Sequence, residues 1–339
     1  MNSKQRVYNS IQRRAVDRSP RFIWLGGTIT QMISEKEGIS PEEVNAFIGN
    51  DIMQTWLSIN GQMEIEKNEG ETFTDEWGIT WKRKGYYNSP ISHPLSGLSA
   101  EQIARYPFPE ACKPERFHIL DVLISKYGKT HFIGADISGS LFEPAYHLRG
   151  MEELLTDMLI GEPEAEILLD RICEFTGNVA EEALKREVDW IWLGDDVGTQ
   201  QGMILSPELW RKWLKPRMVK LIKRIRSFRK DAVIAYHSCG AVRPIVGDLA
   251  EIGINVLNPV QESAVGMDQD EIKAKYGNTL TLMCGLDTQQ FLPSANPEAV
   301  KKAAAEKNRK LSDGGGYIMA VSHSLQPDVP LENIYALFA

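Results

Sequence analysis

Eight short apolar runs, most of them separated by helical patterns, restrict this chain to a small set of folds. They lie at residues 21–25, 52–57, 132–136, 190–196, 233–235, 254–258, 280–285 and 317–321. Each is brief and near-continuous in apolar residues, the pattern of strands buried on both faces. Helical spacing fills residues 149–160, 162–187, 206–227, 241–252 and 297–312. Two of these open on start signals, Ser206-Pro207-Glu208 and Asn296-Pro297-Glu298, with a cap, a proline and an acid in the first turn. Alternation of this kind predicts an α/β protein with a parallel sheet. Eight units favour a closed (β/α)8 TIM barrel over a doubly wound sheet.

Residues 60–98 break the rhythm. The stretch 71–82 alternates weakly and is rich in Thr and Trp, which predicts an antiparallel β-ribbon inserted after the second barrel strand. No linker composition appears, so residues 1–339 read as one domain with an insertion at about 60–98. The net charge of -8 argues against a nucleic-acid partner, and the basic run from Lys220 to Lys230 reads as the outer face of a helix. No run approaches the ~20 apolar residues of a membrane span. Cys112, Cys173, Cys239 and Cys284 are too scattered for a disulfide framework, and no apolar leader follows Met1. A reduced, cytoplasmic setting is the expectation.

In a barrel, chemistry sits where strands run out into the loops of one face. Here those ends are polar. The fourth run leads to Asp195, Asp196 and Gln201, and the fifth to His237 and Cys239. The sixth leads to Asn258 and Gln261, and the eighth to His323. Imidazole and thiolate are the usual ligands of zinc, and a catalytic zinc takes three protein ligands. His237 and Cys239 therefore predict two of the three, with His323 or an acid from Asp195 and Asp196 as the remote third. The plain alternative makes Cys239 a small apolar filler and His237 a satisfied polar residue. Asp195 and Asp196 are adjacent, so one is expected in the cavity while the other accepts backbone donors. His323 is read as a ligand, as a catalytic acid, or as a cap on its strand.

Asp195, Asp196 and His323 lie in longer stretches that resemble the uroporphyrinogen decarboxylase superfamily. The similarity rests on residues 316–327 with 330–334, on Gly194-Asp195-Asp196-Val197-Gly198-Thr199-Gln200 with residues 206–210, and on Gly139-Ser140-Leu141-Phe142-Glu143 with residues 148–152. The resemblance spans nearly the whole chain. It implies a distorted (β/α)8 barrel with one deep cleft at the C-terminal face. One branch of that superfamily decarboxylates uroporphyrinogen, holding its carboxylates with an arginine pair just after the first strand. This chain has Trp24-Leu25-Gly26-Gly27-Thr28-Ile29 there, without an arginine. The other branch consists of corrinoid-linked methyltransferases, and those of the methylcobamide:coenzyme M type hold zinc with a His-x-Cys pair and a cysteine at the last strand's end. His237 and Cys239 match the pair, and His323 stands where that cysteine falls.

The resemblance thus implies a zinc-dependent methyltransferase whose corrinoid comes on a separate partner protein. The expected catalytic residues are Asp195, Asp196 and His323, and the expected metal ligands His237, Cys239 and His323. Gln201, Asn258, Gln261, Arg149 and Trp24 are expected to contact a small-molecule substrate. A homodimer is a candidate assembly. Decarboxylation of uroporphyrinogen or another carboxylic acid is the alternative activity, and a non-catalytic small-molecule-binding barrel is a third reading.

Overall fold

Seven parallel strands form one curled sheet of the TIM-barrel type. The computed structural model describes residues 1–65 and 67–338. In chain order the strands are β1 (Ile52–Trp56), the ribbon strands β2 (Thr72–Thr74), β3 (Thr80–Lys84) and β4 (Tyr87–Pro90), then β5 (Phe132–Asp136), β6 (Trp190–Gly194), β7 (Val233–His237), β8 (Val256–Asn258), β9 (Thr281–Leu286) and β10 (Tyr317–Val321). The barrel sheet runs β1-β5-β6-β7-β8-β9-β10, and β2-β3-β4 form a separate antiparallel sheet. The ribbon thus lies in the expected insertion, after the 52–57 run.

The first apolar run departs from expectation. Residues 21–25 close the barrel without becoming a regular strand, and among the described residues they meet β10 and the chain just beyond it through the parallel bridges Arg21–Met319 and Leu25–Leu325. On the other side the Asn50 side chain replaces a strand ladder. Its Oδ1 accepts from the Ile23 amide at 2.8 Å and its Nδ2 donates to the Ile23 carbonyl at 2.9 Å. Both backbone groups that a neighbouring strand needs are thereby taken. One helical pattern also breaks, while the 149–160 pattern forms the helix Met151–Ile160, which follows a separate helix, Phe142–Arg149, with Gly150 at φ 91° between them. The 206–227 pattern splits at Leu214, just before Pro216, which has no amide to donate.

Inside the barrel, Phe22, Phe132, Trp190, Trp192, Val233, Ala235, Val256, Met283 and Ile318 form one apolar cluster. Burying each large side chain stabilises the fold by roughly 1.5–3 kcal/mol. The register then sets the upper face. Gly194 pairs with His237, and His237 with Asn258, so the ends of β6, β7 and β8 stand side by side. Gly194 is required there, because a Cβ at that position meets the His237 carbonyl oxygen at 2.5 Å. The loops beyond interlock. Gly240, at φ 82°, packs on Gly198, and the Ala241 amide donates to the Thr199 carbonyl at 2.8 Å.

Candidate metal centre and substrate cavity

The pairing of β6 with β7 brings Asp196 over His237 and Cys239. The His237 Nε2 lies 3.4 Å from the Cys239 Sγ and 3.5 Å from the Asp196 Oδ1. Among the described residues these three are the one group of acidic, thiol and imidazole side chains whose ligand atoms converge, all within 4.8 Å. Zinc takes nitrogen at ~2.0–2.1 Å, oxygen at ~2.0–2.2 Å and sulfur at ~2.3 Å; tetrahedral angles then put ligand atoms about 3.3–3.6 Å apart. The separations at His237 fall in that range, so the donor set fits zinc.

The surroundings orient these groups. The His237 Nδ1 lies 2.7 Å from the Asn258 Oδ1, and the Asn258 Nδ2 donates to the Met283 carbonyl at 3.1 Å. With its amide nitrogen so committed, Asn258 presents oxygen to His237. The imidazole therefore carries its proton on Nδ1 and turns the Nε2 lone pair to the cluster. The Cys239 amide donates to the Asp196 Oδ1 at 2.8 Å, and the Gly240 amide to the Gln261 Oε1 at 2.8 Å. Burial, then Asp196 and Glu143, push the Cys239 thiol well above its ordinary pKa. A thiolate at this position calls for a cation, which a metal supplies.

Asp195 and Asp196 face apart, because successive residues leaving a strand point to opposite sides. Asp195 is buried and absent from the cavity wall. Its carboxylate accepts the amides of Leu141 and Glu143 at 3.0 Å, capping the helix Phe142–Arg149, which begins without a capping side chain of its own. Burial raises its pKa to about 7, and the backbone donors oppose the rise. By holding that helix, Asp195 sets the position of Glu143. Glu143 is buried at the cavity wall, its Oε2 accepting the Asp196 amide at 3.2 Å. Desolvation first, then Asp196 and Asp195, raise its pKa well above the usual range.

The cavity rises from this cluster. Its walls include Phe22, Trp24, Trp56, Trp192, Tyr87 and Met283, with Asn60, Glu143, Asp196, His237, Asn258 and His323 as its polar edge. Trp24 packs on Trp56 with centroids 4.8 Å apart, and Trp192 stacks on His237 at 6.1 Å. No lysine or arginine lines it among the described residues. His323 shares the cavity but not the ligand cluster. Its Nδ1 lies 3.4 Å from the Tyr87 hydroxyl and 3.4 Å from the Ser324 hydroxyl. The ring is open to water yet set deep among protein atoms. That desolvation, followed by repulsion from His237, lowers its pKa.

Three expected substrate contacts lie elsewhere. Arg149 is buried and fully engaged, bonded to Asp157 at 3.0 Å and to the carbonyls of Leu95 and Leu98. Gln201 sits exposed in the loop after β6, and Gln261 braces the loop after β7. Asn258 and Trp24 do line the cavity. Glu143, Asn60, Trp56 and Tyr87 were not singled out as site residues. Glu143 lies in a stretch carrying the family resemblance, which was the available signal. Tyr87 comes from the ribbon, whose path over the barrel no local pattern encodes.

The sequence model of the family described as uroporphyrinogen decarboxylase (URO-D) matches residues 90–339. A methylcobamide:CoM methyltransferase MtaA of Methanosarcina barkeri is 30% identical over 151 residues, 44% of this chain and 40% of that protein. A uroporphyrinogen decarboxylase of Coxiella burnetii is 23% identical over 184 residues, 53% of this chain and 48% of that protein. These matches span less than half the length of either relative. A solved methyltransferase from Methanosarcina mazei superposes with a TM-score of 0.75 at 19% identity, covering 99% of this chain and 97% of that one. At such identity the likeness is one of fold. No helix among the described residues is long and apolar enough to cross a membrane.

Proposed function

This chain belongs to the uroporphyrinogen decarboxylase family, and from that premise we propose that it is a zinc-dependent methyltransferase, moving a methyl group between a small molecule or thiol and a corrinoid held by a separate protein. The observation that carries the reading is the Asp196–His237–Cys239 cluster at an aromatic-walled cavity. Similarity to the methylcobamide:CoM methyltransferase supports it.

In this proposal Asp196, His237 and Cys239 hold the zinc. Bound there, zinc supplies a Lewis acid that lowers the proton affinity of a substrate thiol or oxygen. Asn258 keeps the His237 Nε2 free for its task. Glu143, buried beside the cluster, holds or releases a proton at its carboxylate as the substrate group changes charge. The rings of Trp24, Trp56 and Trp192 shape the cavity and exclude water from the reacting atoms. In the thiol direction the substrate would lose its thiol proton and take the methyl group from the partner-held corrinoid, which would keep the electron pair of the broken bond.

The test uses the zinc-loaded chain with free methylcobalamin and a panel of small thiols. Loss of the methyl–cobalt absorbance with matching thioether is expected. The same preparation is expected to leave uroporphyrinogen III unchanged, because the cavity offers its carboxylates no guanidinium. Decarboxylation at roughly 1 s⁻¹ or faster, without methyl transfer, would replace this reading with the decarboxylase one. A further expected result concerns Asn258→Ala, which removes the acceptor for the His237 Nδ1 proton. Zinc affinity in chelator competition is expected to fall about 10- to 100-fold, and an unchanged affinity would remove Asn258 from this role.

A further inference from the structure

Two tryptophans of β6 point into the barrel, and they differ in what their indole N–H groups meet. Trp190 and Trp192 both belong to the apolar cluster of the barrel interior, as alternation along a strand requires. The Trp190 Nε1 donates to the Gln54 Oε1 at 3.1 Å. The Trp192 Nε1 is buried and has no hydrogen-bond partner among the described residues. The residue as a whole is 0% exposed. Indole N–H groups are usually paired when buried, and leaving one unpaired is costly unless an acceptor arrives.

Trp192 is also part of the substrate-cavity wall, beside Phe22, Trp24 and Met283. Phe22 and Trp24 meet it edge to face, with ring centroids 6.3 and 6.4 Å away. Asp136, its register partner on β5, directs its carboxylate to Gln54 and Ser138. The indole stacks on the His237 ring, 28° from parallel with centroids 6.1 Å apart. A molecule bonded to the Trp192 Nε1 is therefore held beside a proposed zinc ligand. Glu143 and Asp196 line the same cavity and no lysine or arginine does so among the described residues, so a negatively charged end is repelled there.

We propose that Trp192 is a specificity-determining residue, whose indole N–H holds an uncharged oxygen, such as a carbonyl or ether, at the deepest end of the cavity's ligand. The N–H selects against a purely apolar end, because such a ligand leaves the donor buried and unpaired. The neighbouring acids select against an anionic end. This binding role stands on Trp192 and the cavity. That the bound molecule is the methyl donor or acceptor rests on the methyltransferase reading above.

The probes are cyclopentanone, its hydrocarbon counterpart methylenecyclopentane, and cyclopentanecarboxylate. Each is titrated into the zinc-loaded chain, isotope-labelled at the indole nitrogens of its 8 tryptophans, and the indole N–H signals are followed by NMR. The signal missing from Trp192→Phe is that of Trp192. Cyclopentanone is expected to move it downfield, as a new hydrogen bond does, and the other two probes are not. Trp192→Phe is also expected to weaken the ketone about 10-fold relative to the hydrocarbon. The downfield shift is expected to persist in Cys239→Ala, so failure of the zinc or methyl-transfer reading leaves this result standing. A Trp192 signal that the ketone does not move, or equal loss of ketone and hydrocarbon in Trp192→Phe, overturns the role. An equal downfield shift with the carboxylate overturns the restriction to uncharged oxygen. Should Trp192→Phe fail to melt cooperatively, Trp24→Phe and Trp56→Phe identify the other two indoles of the cavity. A ketone-specific shift at a further indole signal then carries the role, and its absence overturns it.

Discussion

Replacing Cys239 with alanine is expected to remove zinc and methyl transfer together. The intact chain, purified from zinc-replete medium, is expected to carry about one zinc, and Cys239→Ala roughly a tenth of that or less. Two of the proposed ligands remain after the change, Asp196 and His237, and neither supplies the soft thiolate that zinc favours. Methyl transfer is expected to fall on the order of 10³-fold, as loss of a Lewis acid worth several kcal/mol implies. Thermal stability of the zinc-loaded protein is also expected to drop, because metal bound only by the native state stabilises it. Metal analysis, turnover and melting in the presence and absence of a chelator check the three effects. Full zinc occupancy in Cys239→Ala would remove the thiolate from the ligand set, and with it the proposed chemistry.

The second large effect is at His323. Its ring lies in the cavity wall but outside the group of ligand atoms formed by Asp196, His237 and Cys239. His323→Ala is therefore expected to retain zinc and to lower turnover by about 10²- to 10⁴-fold, the range for loss of a positioned acid or base. His323→Cys is expected to behave alike, retaining zinc and losing turnover. A histidine acting directly on zinc gives the opposite pattern, with zinc lost in the alanine variant and kept in the cysteine one. Zinc content and turnover measured on both variants separate the two roles without a structure of either.

Much of the barrel was legible in local pattern. Strands covered on both faces must be apolar throughout, so β5 at Phe132–Asp136 and β10 at Tyr317–Val321 fall on the bounds read from the runs. The run at 21–25 looks the same by composition, and its failure to become a regular strand is due to Asn50, 27 residues beyond Ile23. One amide side chain there satisfies the backbone of Ile23 in place of a ladder. Composition cannot report on such a bond, because it depends on where the chain returns.

The same distinction runs through the site. His237 and Cys239 were evident from their types and spacing, since two residues that leave one strand end together need no tertiary information to be neighbours. Which of Asp195 and Asp196 joins them was open. The structure turns Asp196 to the pair and sends Asp195 to the amides of Leu141 and Glu143. Arg149, plausible as a carboxylate binder by type alone, is held by Asp157 and two carbonyls outside the cavity.

By itself, then, the amino-acid order determined seven of the eight runs as barrel strands, the ribbon and the His-x-Cys pair, because periodicity and nearest-neighbour chemistry act over a few residues. Only the tertiary structure decided that Asp196 completes the cluster, that Glu143 lies beside it, and that Tyr87 of the ribbon joins the cavity wall. Those placements follow from parallel register across β6, β7 and β8 and from the path of an insertion over the barrel mouth. They depend on distances in space between residues tens of positions apart, and no local pattern in the chain carries that information.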